Sequence, residues 1–329
     1  MPQPLVVDAH HHYIPRAIVE DLERFIPDRV TIVREGSRIH VLRDAIRHMT
    51  IDPECWTDIE RQLRDMDAAG VGVAVLSAAV FQQWMTLDAA RIFNDEVAAI
   101  QARYPERFVG LAHVPPFGED GAIAELERAI RELGLHGACI TTSFRGKYPD
   151  EPEYRPFYAA ADALALPIFV HAAGCPVELG SLDRFGLAYT LGRGLDHTLV
   201  TARLLYNGIL EDFPQLRFMM GHLSGAFYAM VKRLLVEAPS RPINAIPKRA
   251  YFEQLRRIWV DTAPTGWQGT AEVRHAIETL GVDRVSYGSD YPAGGSVMRD
   301  GIDLISSLGL DEHDRARICA HNAKECFRF

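Results

Sequence analysis

The stretch LVVDAHHHYIP, residues 5–15, sets three imidazoles in a row at the end of a short apolar run. Successive side chains of a strand point to opposite faces, so His10 and His12 share one face and His11 takes the other. Two imidazoles two residues apart on one face can share a metal ion. The run is only three histidines long and sits inside apolar sequence, which is unlike an affinity tag. Other apolar runs also stop at groups of this kind. PIFVHA (167–172) reaches His171, RFMMGHL (217–223) reaches His222, and VSYGSDY (285–291) reaches Asp290. Three histidines and a carboxylate suit one divalent transition metal and leave a position open for water or substrate. With His10, His12, His171 and Asp290 as that set, His222 is spare for acid–base work. The metal expected is zinc, with manganese second, because ligands of this kind suit both.

These residues can meet only if the runs that carry them belong to one sheet. Eight short apolar runs read as strands: 5–11, 71–78, 108–115, 137–142, 167–172, 217–223, 258–263 and 285–291. Each is rich in Val, Ile and Leu and apolar on both faces, as strands of a covered parallel sheet are. Helical segments lie between them. WTDIERQLRDMDAAG opens on a Thr57-x-x-Glu60 capping pattern and ends at Gly70, and DAARIFNDEVAAIQARYP stops at Pro105. DGAIAELERAIRELG stops at Gly134, and PEYRPFYAAADALALP and GTAEVRHAIETLG follow the same design. The alternation predicts an α/β fold, a (β/α)8 TIM barrel. An open doubly wound sheet would carry a glycine-rich phosphate turn after its first strand, where this chain has histidines. Barrel chemistry sits at the C-terminal strand ends, and every candidate falls there. A lone histidine at a strand end is usually a structural hydrogen-bonding group; five such residues at one mouth argue for a shared site. The fourth strand, GACITTSF, has no lysine to bridge a second metal, so one ion per chain is expected.

The 329 residues fit a single barrel domain, 1–329. Residues 14–56 are too long for an ordinary connection and are expected to form a small lid after the first strand. A second excursion, 239–257, carries three prolines. The formal net charge of −9 argues against nucleic acid and anionic membrane surfaces as partners. No apolar run approaches the length of a membrane span, and the N-terminus lacks the pattern of a secretory signal. Five scattered cysteines (Cys55, Cys139, Cys175, Cys319, Cys326) without CxxC spacing fit a cytoplasmic protein with free thiols.

The segments DAHHHYIP, RQLRDMDAAGV, YPERFVGLAHVP, FYAAADALALPIFVH, DFPQLRFMMGHLSGAF and RVSYGSDYP resemble the amidohydrolase superfamily. Within it, the chain is similar to the amidohydrolase-2 group that contains aminocarboxymuconate-semialdehyde decarboxylase and the γ-resorcylate-type decarboxylases. The resemblance runs over nearly the whole chain. It implies metal ligation by His10, His12, His171 and Asp290, and His222 as the residue that activates water or delivers a proton. His10 follows the muconate enzymes; the resorcylate enzymes carry a glutamate there. The resemblance also implies that Arg233 reaches into a neighbouring subunit to hold a substrate carboxylate, hence a homodimer or a dimer of dimers. Read by itself, Arg233 beside Lys232 is a solvated cation on a helix face. A second carboxylate-binding arginine is implied in VLRDAIRHM, where Arg43 and Arg47 both fit. Three positions depart from the family. Tyr189 in LAYTLGRG stands in place of a pocket tryptophan, Ala293 in place of an aromatic residue, and HLSG in place of a glycine triplet. All three belong to the implied substrate pocket, so the metal chemistry transfers better than the substrate.

The resulting expectation is a metal-dependent, non-oxidative decarboxylase of a small unsaturated or aromatic carboxylic acid, with His222, Asp290 or both delivering a proton. The alternative is a hydrolase of a lactone, amide or carbon–carbon bond, or a hydratase, using the same mononuclear site. A metal-binding scaffold would leave His222 idle. His11 and His113 are expected to be structural, Asp261 to support the site from behind or line the pocket, and Cys175 to lack the partnered base of a nucleophile.

Overall fold

The computed structural model describes residues 5–25, 30–43, 46–119, 121–173, 182, 184–235, 250–263, 269–293 and 297–329, the side chains of 43, 46–48, 79–80, 184 and 189 excepted. Eleven strands are described: β1 (Val7–His12), β2 (Val30–Glu35), β3 (Arg38–Arg43), β4 (Ile46–Ile51), β5 (Val73–Ser77), β6 (Phe108–Gly110), β7 (Ala138–Thr141), β8 (Pro167–His171), β9 (Arg217–Met220), β10 (Ile258–Asp261) and β11 (Val285–Ser286). β1, β5 and β6 pair in that order, and β7 through β11 pair consecutively; all these pairings are parallel. Parallel bridges at Ala112–Ala138 and His11–Tyr291 join the two sheets at both edges. The ring is therefore closed, an eight-stranded (β/α)8 barrel, and each of the eight predicted runs supplies one strand.

Burial on both faces explains why these runs are uniformly apolar. Val75, Val109, Phe169, Met219 and Trp259 point inward and fill the barrel below its mouth, as layered barrel cores require. Alternate residues such as Leu76, Ile140, Ile168 and Phe218 face the helices. The hydrogen-bonded strands are shorter than the apolar runs suggest, β6 and β11 above all.

The helix Ile59–Ala69 ends at Gly70 in the left-handed region, φ 82°, as the sequence predicts. Its start differs. Asp58, not Thr57, is the N-cap, accepting from the Arg61 amide at 3.1 Å. The Thr57 hydroxyl instead donates to the Pro53 carbonyl of the preceding turn.

The 14–56 excursion holds two short helices, Arg16–Glu20 and Leu22–Phe25, then an antiparallel sheet in the order β2–β3–β4 and the turn of helix Pro53–Trp56. Its two ends meet through the Ile14 amide, which donates to the Trp56 carbonyl at 3.0 Å. Of the second excursion, residues 239–249 lie outside the described residues, and the helix Tyr251–Leu255 follows. Cys175 also lies outside them. Arg47 is on β4 and Tyr189 in the helical turn Ala188–Gly192, with their side chains outside the described set.

Candidate metal centre

β1 carries His10 and His12 to the mouth on one face, as alternation requires. His11 turns the other way: its Nδ1 lies 3.0 Å from Asp8 Oδ2, and its ring stacks on Tyr291. His10 and His12 meet His171 from the end of β8 and Asp290 from the loop after β11. One ligand atom from each of the four lies within 4.8 Å of the others, and all four residues are buried. His10 Nε2 is 3.1 Å from His12 Nε2 and 3.3 Å from Asp290 Oδ1; His12 Nε2 is 2.9 Å from the same oxygen and His171 Nε2 3.7 Å.

The outer hydrogen bonds fix which nitrogens point inward bare. His10 Nδ1 donates to Asp261 Oδ2 at 2.9 Å, and His171 Nδ1 donates to the Ala172 carbonyl at 2.9 Å. Both acceptors lack a hydrogen to give, so Nδ1 carries the hydrogen and Nε2 faces the cluster as a lone pair. His12 Nδ1 sits 3.0 Å from Ser77 Oγ. Lone pairs are thus turned on an acceptor-only carboxylate. His171 Nε2 is buried with no hydrogen-bond partner among the described residues. A cation suits such a set, and these donors fit one divalent metal ion.

The electrostatics agree. Burial, the largest effect on His10, disfavours its charged form, but Asp261 and Asp290 together outweigh it and lift the pKa to about 10. Without a metal, the carboxylates draw a proton into the place a cation wants. Burial holds His171 down at about 3 and lowers His12, which keeps both neutral as ligands must be. Burial opposes ionisation of Asp290 too, yet the three facing imidazoles hold it well below the usual carboxylate range.

His222 follows β9 in a sharp turn, with positive φ at His222, Leu223 and Ser224. Left-handed backbone at three non-glycine residues costs of order 1 kcal/mol each, a strain typical of functional turns. The His222 amide donates to Asp261 Oδ1 at 3.0 Å, and its Nδ1 donates weakly to the Ala263 carbonyl at 3.3 Å. Its Nε2 is buried and has no partner among the described residues. The ring lies 4.9 Å from that of His10 and 5.3 Å from that of His171, centroid to centroid. Burial pushes its pKa down to about 3. Asp261 thus links the two halves of the site: one oxygen orients the His10 ring and the other fixes the His222 backbone. Gly288 makes room for this, because a Cβ there would lie 2.8 Å from His10 Cβ and 2.9 Å from Asp261 Cβ.

Of the other candidates, His113 is structural, its Nε2 accepting from the Ala78 amide and its Nδ1 donating to the Leu111 carbonyl. Arg233 is exposed on the helix Phe227–Leu235, outside the cluster. Two contacts were not foreseen: Trp56, at the end of the 14–56 excursion, stacks on His12 at 5.9 Å and 8°, and His197 lies behind His222.

Relatives share this frame. The chain is 26% identical over 304 residues to the 2-amino-3-carboxymuconate-6-semialdehyde decarboxylase of Dictyostelium discoideum, covering 88% of this chain and 82% of that protein. It is 26% identical to the γ-resorcylate decarboxylase of Rhizobium sp. (strain MTP-10005), covering 83% and 90%. In structure it matches the 5-carboxyvanillate decarboxylase of Sphingomonas paucimobilis with a TM-score of 0.84 at 23% identity, over 99% of this chain and 100% of that one. The manganese-containing 5-carboxyvanillate decarboxylase of Novosphingobium aromaticivorans gives 0.83 at 24% identity, over 99% and 97%. The family model for amidohydrolases matches residues 7–329, from the first barrel strand through the last helix, and this chain belongs to that family.

Proposed function

We propose that the protein is a metal-dependent, non-oxidative decarboxylase of a small aromatic or unsaturated carboxylic acid. The observation that carries this reading is that relatives matching over four-fifths of the chain are decarboxylases, on a fold whose mouth gathers a cation site and one further imidazole. His10, His12, His171 and Asp290 hold one divalent ion, zinc or manganese. When bound, that ion supplies Lewis acidity and a fixed positive charge for an acidic substrate. The chain's own residues do the rest. His222 stands beside the ligand set with a bare nitrogen, Nε2. Nε2 first takes up a proton from solvent, which makes the imidazole a cation facing the Asp290 side of the site, and then passes it to the ring carbon that bears the carboxylate. A carbon–hydrogen bond forms, the carbon–carbon bond breaks, its electron pair returns to the substrate, and CO2 leaves. The Ala263 carbonyl accepts from Nδ1 in both charge states and so keeps Nε2 directed at the site.

The 14–56 excursion acts as a lid over a single barrel domain, an assignment supported by Trp56 at its base against His12. Arg233, Tyr189 and Arg47 or Arg43 are assigned to substrate recognition. The working unit is a homodimer, and five cysteines without CxxC spacing favour a cytoplasmic setting.

The test is to load the protein with zinc or manganese, incubate it with hydroxybenzoates, pyridine carboxylates and muconates, and follow CO2 and product. CO2 release supports the lyase; turnover of lactones or amides without CO2 transfers the site to a hydrolase.

A further inference from the structure

The inner face of the helix Arg193–Tyr206 presents an imidazole that the reaction above does not use. His197 is fully buried, and neither of its ring nitrogens has a hydrogen-bond partner among the described residues. Its ring meets that of His222 edge-on, centroids 5.2 Å apart at 73°. Gly221 lies between it and the metal cluster: a Cβ there would be 3.3 Å from His10 Cε1 and 3.5 Å from His197 Cε1. Burial pushes the His197 pKa well down, with His222, His171, His10 and Arg193 adding to the effect, so the ring is neutral. A neutral imidazole offers one donor and one acceptor.

This is an expensive way to fill space. Leaving buried polar groups unpartnered is destabilising, and a phenylalanine of similar shape would avoid that cost. Beside it, His222 Nε2 is equally bare. The two touching rings, with no partner for these nitrogens among the described residues, offer a ring N–H on His197 and a bare nitrogen on His222, which suit one small oxygen group that can both accept and donate.

We propose that His197 is a positioning residue that, with His222, holds a hydroxyl oxygen. The oxygen accepts from the His197 ring N–H and donates to His222 Nε2. It belongs either to a trapped water or to a hydroxyl of the substrate. Through it, His197 sets the direction in which His222 meets the reacting carbon. The inference rests on His222 as the acid–base group.

Two measurements test it. In zinc-loaded, substrate-free protein labelled with ¹⁵N-histidine, His197 should show one ring N–H in slow exchange, with a cross-peak to bound water. If the oxygen is the substrate's, that signal appears only on adding 2,6-dihydroxybenzoate. No hydrogen-bonded ring N–H in either state overturns the proposal, whether or not the protein turns over any acid. The second measurement compares variants of the holoenzyme. His197→Phe should keep metal content, keep or raise Tm, and lower kcat at least tenfold with a smaller change in KM. His197→Gln, which retains a donor and an acceptor, should recover most of the loss. Full kcat in His197→Phe would show that the ring only fills space. If the wild type decarboxylates nothing, the function fails while the spectroscopic arm still decides the fate of the oxygen site.

Discussion

Which nitrogen of each imidazole carries its hydrogen determines what the four converging groups can hold. Asp261 and the Ala172 carbonyl remove the Nδ1 option for His10 and His171, so the site is a cage of lone pairs. His12→Ala removes a nitrogen 2.9 Å from Asp290 and should abolish both stoichiometric metal and activity, as measured by elemental analysis and CO2 release. His222→Ala should retain about one ion per chain and lose 10²–10⁴-fold in turnover, the usual contribution of a positioned acid–base group. Metal loss in His222→Ala as complete as in His12→Ala would make His222 a ligand instead. The ligand set and His222 are legible in the sequence because each closes an apolar run. The double role of Asp261 is only half legible: WVDTAP places a carboxylate at a strand end, but the bonds to His10 and His222 join residues 251 and 39 positions away. His197 gives no such signal, since within a helix only the phase against β9 distinguishes it from a surface histidine.

At the level of elements, the eight barrel strands are readable because burial on both faces leaves uniformly apolar runs. The antiparallel sheet β2–β3–β4 is one-sided, and its alternation around Glu35-Gly36-Ser37 is easily absorbed into an unassigned excursion. The N-cap shifts to Asp58 because two adjacent residues, Thr57 and Asp58, can both cap, and the Thr57 hydroxyl is engaged by Pro53. The approach of the His222 turn to the helix Arg193–Tyr206 depends on Gly225. Its φ is +62°, and a Cβ would fall 1.9 Å from the Gly194 carbonyl oxygen. Gly225→Ala should therefore destabilise by at least about 1–3 kcal/mol from backbone strain alone, read as a lower urea midpoint. Wild-type stability in that variant would disprove the close approach. The same helix carries Asp196, which accepts from the Thr142 hydroxyl at the end of β7. Burial raises Asp196 to about 6, against the smaller downward pull of that bond. The folded protein holds this proton more tightly than the unfolded chain does. The penalty for ionising it is therefore absent below about pH 4, grows between about pH 4 and 6, and is complete above. A shift of about two units corresponds to roughly 3 kcal/mol. Asp196→Asn should gain stability over wild type by up to that amount at pH 7.5 compared with pH 4; an equal difference at both pH values rejects the assignment.

For the whole molecule, one face carries exposed apolar side chains. Leu191, Leu195 and Leu199 repeat every fourth residue along one helical side, each exposed, with Phe185 at 86% exposure and Met230 on the helix Phe227–Leu235. Arg233 lies one turn beyond Met230. A patch of this kind fits association, and it would bring Arg233 to the edge of a second copy. Leu195→Glu should shift the protein to monomers in sedimentation and lower activity while metal stays bound. Arg233→Lys, which loses bidentate pairing to a carboxylate, should raise KM without metal loss. Mixing it with His222→Ala under confirmed subunit exchange should restore activity; failure to do so confines Arg233 to its own chain. The barrel's seam carries one more implication. The ring closes between β1 and the segment after β11 through the His11–Tyr291 bridge, and the cation site straddles that seam, with His12 and Asp290 separated by 278 residues. The binding pocket therefore cannot exist on a half-made chain. Metal capture becomes a late event that reports barrel closure, and a bound ion then resists reopening like a clasp across the join, slowing unfolding more than it hastens folding.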